Sequence, residues 1–294
     1  MSENLYKDFL KEILEQGVQK EDRTNTGTVS KFRPKTMYFD LNDGETFPLF
    51  TCKKISFSNI LKELLWFISG STNINDLDSK IWNEWADEKG DIGKMYGYQL
   101  RRIEKLEMSF SKNDNKISFE NKKYDPLKDT IENIRNNPNS RRHVISLWNH
   151  LDLPNEKLSP QENVKNGKSA LANCHGTVIQ FYVENGKISL AHYQRSLDAF
   201  LGGFYNIASY SLLLLMVARI TNLKAHQLIF DAGDAHIYNN HIPQVKEYLQ
   251  RDILSDLPSV KIINQRDNID EFLFEDFELV NYKPQETITA KIAI

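Results

Sequence analysis

The chain has 294 residues, enough for one large domain or two ordinary ones, and its 40% hydrophobic and 26% charged residues are those of a soluble globular protein. A formal net charge of -3 excludes coating of nucleic acid through bulk charge, so any anion site must be a local arginine cluster. Two cysteines make neither a disulfide framework nor a zinc framework, which points to a reducing cytoplasm.

The opening stretch "MSENLYKDFLKEILEQG" is amphipathic and charged throughout, unlike a signal peptide, and predicts a helix over residues 4–16. Polar "VQKEDRTNTGT" follows, then alternation in "SKFRPKTMYFDL" predicts a strand. "SFSNILKELLWFISG" reads as a helix with Ser56 or Ser58 near its cap and Gly70 at its end. "NINDLDSKIWNEWADEKG" predicts another, ending near Gly90. Residues 103–124 are charged, Asn/Lys-rich and weakly periodic, and are expected to form a variable surface insertion. "LKDTIENIRNNP" is a helix stopped by Asn-Asn-Pro, "RRHVISLWN" a strand, and residues 153–169 a loop. "CHGTVIQFYV" and "KISLAHYQRS" form a hairpin about "ENGK". The apolar run over residues 204–218 is shorter than the ~20 residues of a membrane span and carries Asn206, Ser209 and Ser211, so it reads as a buried central helix. "HQLIFDAGDAHIY" is a strand, "NNHIPQVKEYLQR" a helix, and "SVKIIN", "FELVNY" and "ITAKIAI" short strands. Interleaving without a βαβ rhythm predicts one α+β domain over residues 1–294, with a large mixed or antiparallel sheet, packed helices and that buried central helix.

There is no Gly-x-Gly-x-x-Gly after a strand, no Walker loop and no zinc spacing, so no metal is expected. Cys174 in "LANCHGTVIQFYV" is either a small buried hydrophobe or a nucleophile, and a nucleophile needs a cation to favour its thiolate. The hairpin partner offers Arg195, whereas His175 points to the other face of the strand. "DRTNTGT" with Arg23, "SRRHV" with Arg141 and Arg142, and "QRS" with Arg195 and Ser196 read as ordinary surface ion pairs or as the parts of a dianion cradle. Glu63 shares a helical stripe with Ile60, Leu64 and Phe67; desolvation there raises its pKa and suits proton transfer, unless a buried base pairs with it. His236 and Tyr238 share a strand face and are either a sugar-hydroxyl site or a polar strand end. Asn206 is either a helix cap or a donor–acceptor that matches the O4 and N3–H edge of uracil.

In this order, "DRTNTGT", "FPLFTCKK", "KELLWFISGSTN", "IWNEWADEKGDIG", "YGYQLR", "SRRHVISLWN", "CHGTVIQFYV", "YQRSLDAFLGG", "NIASYSLL", "GDAHIYNNH" and "FEDFELVNYKP" resemble the thymidylate synthase family, folate-dependent enzymes that methylate dUMP. The resemblance spans nearly the whole chain. It implies reductive methylation of dUMP to dTMP with 5,10-methylenetetrahydrofolate as one-carbon and hydride donor, in a cytoplasmic homodimer with shared active sites and no membrane or obligatory nucleic-acid partner. By the resemblance, Cys174 adds to C6 of the uracil, Glu63 manages proton transfers through water, and Tyr96 helps remove the C5 proton. Arg23, Arg195 and Ser196 hold the phosphate, with Arg141 and Arg142 reaching it from the other subunit. Asn206 reads the base, and His236 and Tyr238 hold the 3′-hydroxyl. Ile81, Trp82, Asp198, Leu201 and Gly202 contact folate, and Ala293 and Ile294 belong to a closing tail. The alternative is dUMP 5-hydroxymethylation, in which water captures the exocyclic methylene; Trp82 leans towards methylation.

The chain departs from the family's pattern at one telling place. Five residues separate Cys174 from Gln180 where the pattern has four. The extra residue implies a bulge, which Gly176 suits, or a changed register that would place His175 where the nucleophile belongs. Near the site, Gly203-Phe204-Tyr205 replaces the family's Leu-Pro-Phe.

Overall fold

The computed structural model describes residues 2–21, 25–111 and 113–292. Helix α1 (Ser2–Gln16) buries Tyr6, Phe9, Leu10 and Ile13, a stripe at helical spacing. The Tyr6 hydroxyl donates to the Ala199 carbonyl (2.5 Å). The buried Glu3 carboxylate accepts from the Thr51 amide and hydroxyl, the Cys52 amide and the Tyr248 hydroxyl at 2.8–2.9 Å, so its charge is fully hydrogen-bonded.

Strand β1 (Val18–Lys20) precedes β2 (Thr28–Phe32) and β3 (Met37–Asp40). The single strand expected over this stretch is two, because Arg33 has φ +52° and Pro34 has no amide to donate. Helix α2 (Phe57–Ser69) has the expected ends: Ser56 accepts the Asn59 amide and Gly70 closes it at φ +73°. The helix expected over residues 73–90 is absent. That stretch has a single 3-10 turn, Ile74–Asp76, because Asn73 and Asp87 accept nearby backbone amides and offer the chain an alternative to the helical ladder.

Helix α3 (Tyr96–Arg101) leads into β4 (Ile103–Ser111) and β5 (Lys116–Tyr124), a separate two-stranded sheet in the stretch expected to be a variable surface insertion. Its register aligns Leu106, Met108, Phe110, Ile117 and Phe119 on one face, each more than half exposed. On the other face Glu107 pairs with Lys105 and Lys122, and Ser109 with Ser118. Helix α4 (Pro126–Asn136) is capped by Asp125. Strand β6 (Val144–Ile145) is shorter than expected, and the following loop holds α5 (Pro160–Lys165), started by a Ser159–Glu162 capping box.

Strands β7 (Val178–Glu184) and β8 (Lys187–Asp198) form the expected hairpin. Asn185 (φ +49°) and Gly186 (φ +73°) make the left-handed pair that a two-residue turn requires. Helix α6 (Gly202–Ile220) then crosses over to β9 (Lys224–Tyr238), followed by α7 (Ile242–Gln250), β10 (Ser259–Ile262) and β11 (Phe277–Val280). No strand forms over residues 288–292 of "ITAKIAI".

The main sheet runs β1-β2-β9-β8-β7-β6, with β3 also on β9. Only β8 and β9 are parallel, and a parallel pair needs a crossover, which α6 supplies. The sheet is therefore mixed, and the class is α+β. Helix α6 is the one helix among the described residues long and apolar enough to cross a membrane; it is the core helix, buried on nearly every side, and this explains its uniform apolarity.

Candidate active site

The hairpin β7–β8 places Cys174 just ahead of β7. Val178 pairs with Tyr193, and the Ser196 amide donates to the Cys174 carbonyl (3.4 Å). Four steps along the chain from Val178 to Cys174 thus face three from Tyr193 to Ser196. The surplus residue is taken up at Gly176, in the left-handed region at φ +65°, where a Cβ would collide with Leu147 and the Tyr210 hydroxyl.

The bulge keeps Cys174 beside Arg195, whose Nη2 lies 3.8 Å from Sγ. The guanidinium is held by the carbonyls of Ala172 and Asn173 (3.2 Å each) and sits over Trp148, 5.1 Å from the ring centre. The Cys174 amide donates to the Tyr96 hydroxyl (3.1 Å). Neither cysteine is in a disulfide. His175 turns its ring to stack on Tyr96 (4.1 Å, 14°) and pairs Nδ1 with the Tyr210 hydroxyl (2.9 Å). Burial pushes its imidazole down to about 3, so it stays neutral and is no cation for the thiol.

Glu63 reaches this cluster from α2. Burial raises its carboxyl to about 7, against the opposing hydrogen bond from the Trp82 indole (2.8 Å). Its partner is thus an indole, not a buried base. Trp82, Phe67, Tyr96 and His175 form a continuous aromatic path from Glu63 towards Cys174. Burial, then the neighbouring Cys174, holds the Tyr96 phenol well above its usual range, so it is protonated.

Asn206 is not a cap. The N-cap of α6 is Leu201, and the Asn206 amide donates to Gln194 Oε1 (3.0 Å), whose own amide is tied to the Ser196 carbonyl. The parallel register sets Ser196 beside Asp234 and Asp198 beside His236. His236 Nδ1 pairs with Asp234 (3.2 Å), which also accepts from Ser30 and Lys20. The His236 hydrogen bond, then Ser30 and Lys20, hold the Asp234 carboxyl well below the usual carboxylate range. The His236 and Tyr238 rings meet edge-on at 5.2 Å.

Asp198 accepts the Phe200 and Leu201 amides (2.9 and 3.0 Å), which turns the chain into α6 and presents Leu201 and Gly202. Ile81, Trp82 and Leu201 are half-buried apolar groups packed on the core. Lys53 donates to the Phe200 carbonyl (3.0 Å) over the Phe200 and Phe204 rings; burial lowers its ammonium to about 7, opposed by Asp198.

The guanidinium groups of Arg141 and Arg142 are exposed and make no ion pair or hydrogen bond among the described residues, so they are not drawn into this cluster. Arg23 and the tail residues Ala293 and Ile294 lie outside the described residues. Among the described residues no group of His, Cys, Asp or Glu could hold a metal. The sequence reading missed Gln194, Trp148, Tyr210 and Lys53. Only Lys53, a basic residue directly after apolar "FPLFTC", carried a local signal.

The arrangement offers a thiol beside a guanidinium, a carboxyl poised near neutrality and an oriented amide. Comparison with known proteins agrees with it. The family model described as thymidylate synthase matches residues 4–294. The thymidylate synthase of Francisella philomiragia subsp. philomiragia is 47% identical over 292 residues, covering 98% of this chain and 99% of the relative. That of Francisella tularensis subsp. holarctica is 48% identical over the same coverage. The chain belongs to the thymidylate synthase family and is, with it, a methyltransferase.

Proposed function

We propose that the chain converts dUMP and 5,10-methylenetetrahydrofolate to dTMP and dihydrofolate. The observation that carries this reading is the Cys174 sulfur 3.8 Å from Arg195, in one cluster with Glu63 and Tyr96. Arg195 favours the thiolate, which adds to C6 of the uracil and makes C5 nucleophilic. Bound folate supplies the methylene carbon and the hydride. Tyr96, whose hydroxyl accepts from the Cys174 amide, assists removal of the C5 proton through water while itself staying protonated. Glu63 is half-ionised near neutrality and so can give and accept protons through water. The sulfur leaves C6 as the product forms.

Arg195 and Ser196 bind the phosphate together with Arg23. Asn206, oriented by Gln194, reads the O4 and N3–H edge, and His236 with Tyr238 takes the 3′-hydroxyl. Folate fits the residues present. Ile81, Trp82 and Leu201 offer half-buried apolar surface, Asp198 a fixed carboxylate for pterin N–H groups, and Gly202 carries no side chain to hinder close approach.

The enzyme acts as a homodimer, with Arg141 and Arg142 given to the partner's phosphate site. The free guanidinium groups support this, as do the exposed Tyr38, Val144, Val178 and Tyr182 on the outer face of the main sheet. Residues 1–294 form one catalytic domain, residues 103–124 are a variable surface insertion, and the setting is the cytoplasm, in keeping with two thiols outside any disulfide. Incubation with both substrates tests the reading. dTMP with dihydrofolate is expected, and 5-hydroxymethyl-dUMP with tetrahydrofolate would transfer it to hydroxymethylation. Sedimentation of the protein at micromolar concentration tests the dimer, and a monomer would exclude it.

A further inference from the structure

The bulge ahead of β7 has a dedicated acceptor. A surplus residue leaves a backbone amide outside the ladder, and a buried amide needs a partner. Here the Gly176 amide donates to His192 Nε2 at 2.9 Å. His192 lies on β8, paired with Ile179, and is 1% exposed. Its ring is clamped between Tyr210 (3.8 Å) and Phe230 (4.9 Å). An Nε2 that accepts an amide carries no proton, so the proton of the neutral ring sits on Nδ1. The Gly176 carbonyl in turn accepts the Leu147 amide (3.0 Å). The segment around Cys174 is therefore pinned at Cys174 by Ser196 and Tyr96, and at Gly176 by His192 and Leu147. Tyr210, packed against His192, also hydrogen-bonds His175, the residue between Cys174 and Gly176 in sequence.

We propose that His192 is a positioning residue: by holding the Gly176 amide it fixes the bulge that sets the Cys174 sulfur against Arg195. The proposal rests on Cys174 being the nucleophile. It assigns a role to a buried imidazole that acts through the Gly176 amide, two residues along the chain from Cys174. An apolar side chain at 192 would fill the space but orphan the Gly176 amide, and the segment would then swing to satisfy it. A shorter segment would need no acceptor at all.

The test measures the alkylation rate of Cys174 by iodoacetamide, mapped by peptide, together with kcat, dUMP affinity and Tm. His192→Leu is expected to slow alkylation and to lower kcat by about 10- to 100-fold, the scale of an ångström's misplacement. Affinity for dUMP should change far less. His192→Gln, whose amide oxygen can accept the same N–H, should recover most of the loss. Deleting Gly176 in the His192→Leu background should also restore alkylation. A folded His192→Leu protein with wild-type alkylation and kcat overturns the proposal, as does a folded double variant as slow as His192→Leu. If His192→Leu does not fold, the 15N shifts of His192 in the unaltered protein decide. A proton on Nδ1 with Nε2 accepting supports the proposal, and a proton on Nε2 overturns it. Alkylation and tautomer do not depend on which pyrimidine is turned over, so a failure of the substrate reading is distinguishable from a failure here.

Discussion

The chain contains two long antiparallel hairpins with opposite fates. In β4–β5 both strands are edges, one face shows five apolar side chains to solvent, and exposed lysine–glutamate pairs cover the other. In β7–β8 each strand has a further neighbour, β6 or β9, and Ile179, Phe181, Ile188 and Leu190 are buried in the core. An isolated two-stranded hairpin is marginal in water, whereas a strand paired on both sides shares the stability of the whole sheet. Local alternation is present in both. Only the second converts it into a rigid base, and that is where Cys174 and Arg195 stand.

If this contrast is right, substitutions in the two hairpins should differ steeply. Cys174→Ala should lower kcat by about 10³-fold or more while Tm is kept; steady-state turnover and calorimetry check this, and retained turnover would remove the nucleophile assignment. Phe181→Ala should cost about 3–5 kcal/mol in urea unfolding, since a fully buried ring leaves a cavity.

Glu63 gives a pH-dependent term linked to the same base. Its native pKa, about 7, lies above the ordinary value of 4.5, so the native state binds more protons than the unfolded one between those values. Stability then falls as pH rises through that window, by about 3 kcal/mol at roughly 1.36 kcal/mol per unit. Glu63→Gln should flatten this dependence in unfolding curves from pH 4.5 to 8, and should remove the rate limb near pH 7. A wild-type slope in the variant would break the link.

In the outer hairpin, Phe119→Ala should change stability by no more than about 0.5 kcal/mol. Glu107→Gln should leave Tm and kcat unchanged at neutral pH. The Glu107 carboxyl is held down to about 2 by Lys122 and then Lys105, so this pairing is present above the ordinary 4.5 and lost as pH falls through about 2. It lies at the solvent-accessible surface, however, and salt screens it. A large loss in either variant would mean that β4–β5 is structurally coupled to the core.

The same contrast marks what could be read before the fold was known. Helix α2 with its Ser56 and Gly70 ends, the "ENGK" turn and the buried α6 all follow from local pattern. So does the raised Glu63, because one stripe of neighbours suffices to desolvate it. The missing helix at residues 73–90 did not follow, since Asn73 and Asp87 spend their side chains on backbone amides that a helix would use. Arg195 beside Cys174 was readable because a hairpin fixes its own neighbours. Gln194 against Asn206, Trp148 under Arg195 and His192 against Gly176 depend on register or on packing between elements distant in sequence, which no local spacing records.

The closure of Glu3 onto Tyr248, and of β2 onto β9, has a consequence in time. Glu3 and Tyr248 are 245 residues apart and the β2–β9 partners about 200, so at the ~5–20 residues per second of synthesis the first strands wait roughly 10–40 s for β9 to be made. Until then the Glu3 carboxylate has its Thr51 and Cys52 partners but lacks the Tyr248 hydroxyl, and the stripe on α1 is only partly covered. Folding is thus largely completed after synthesis rather than during it, and slowly, as long-range pairing demands. A nascent chain stalled before residue 224 would hold β7 and β8 but not β9, the strand to which β2, β3 and β8 all attach.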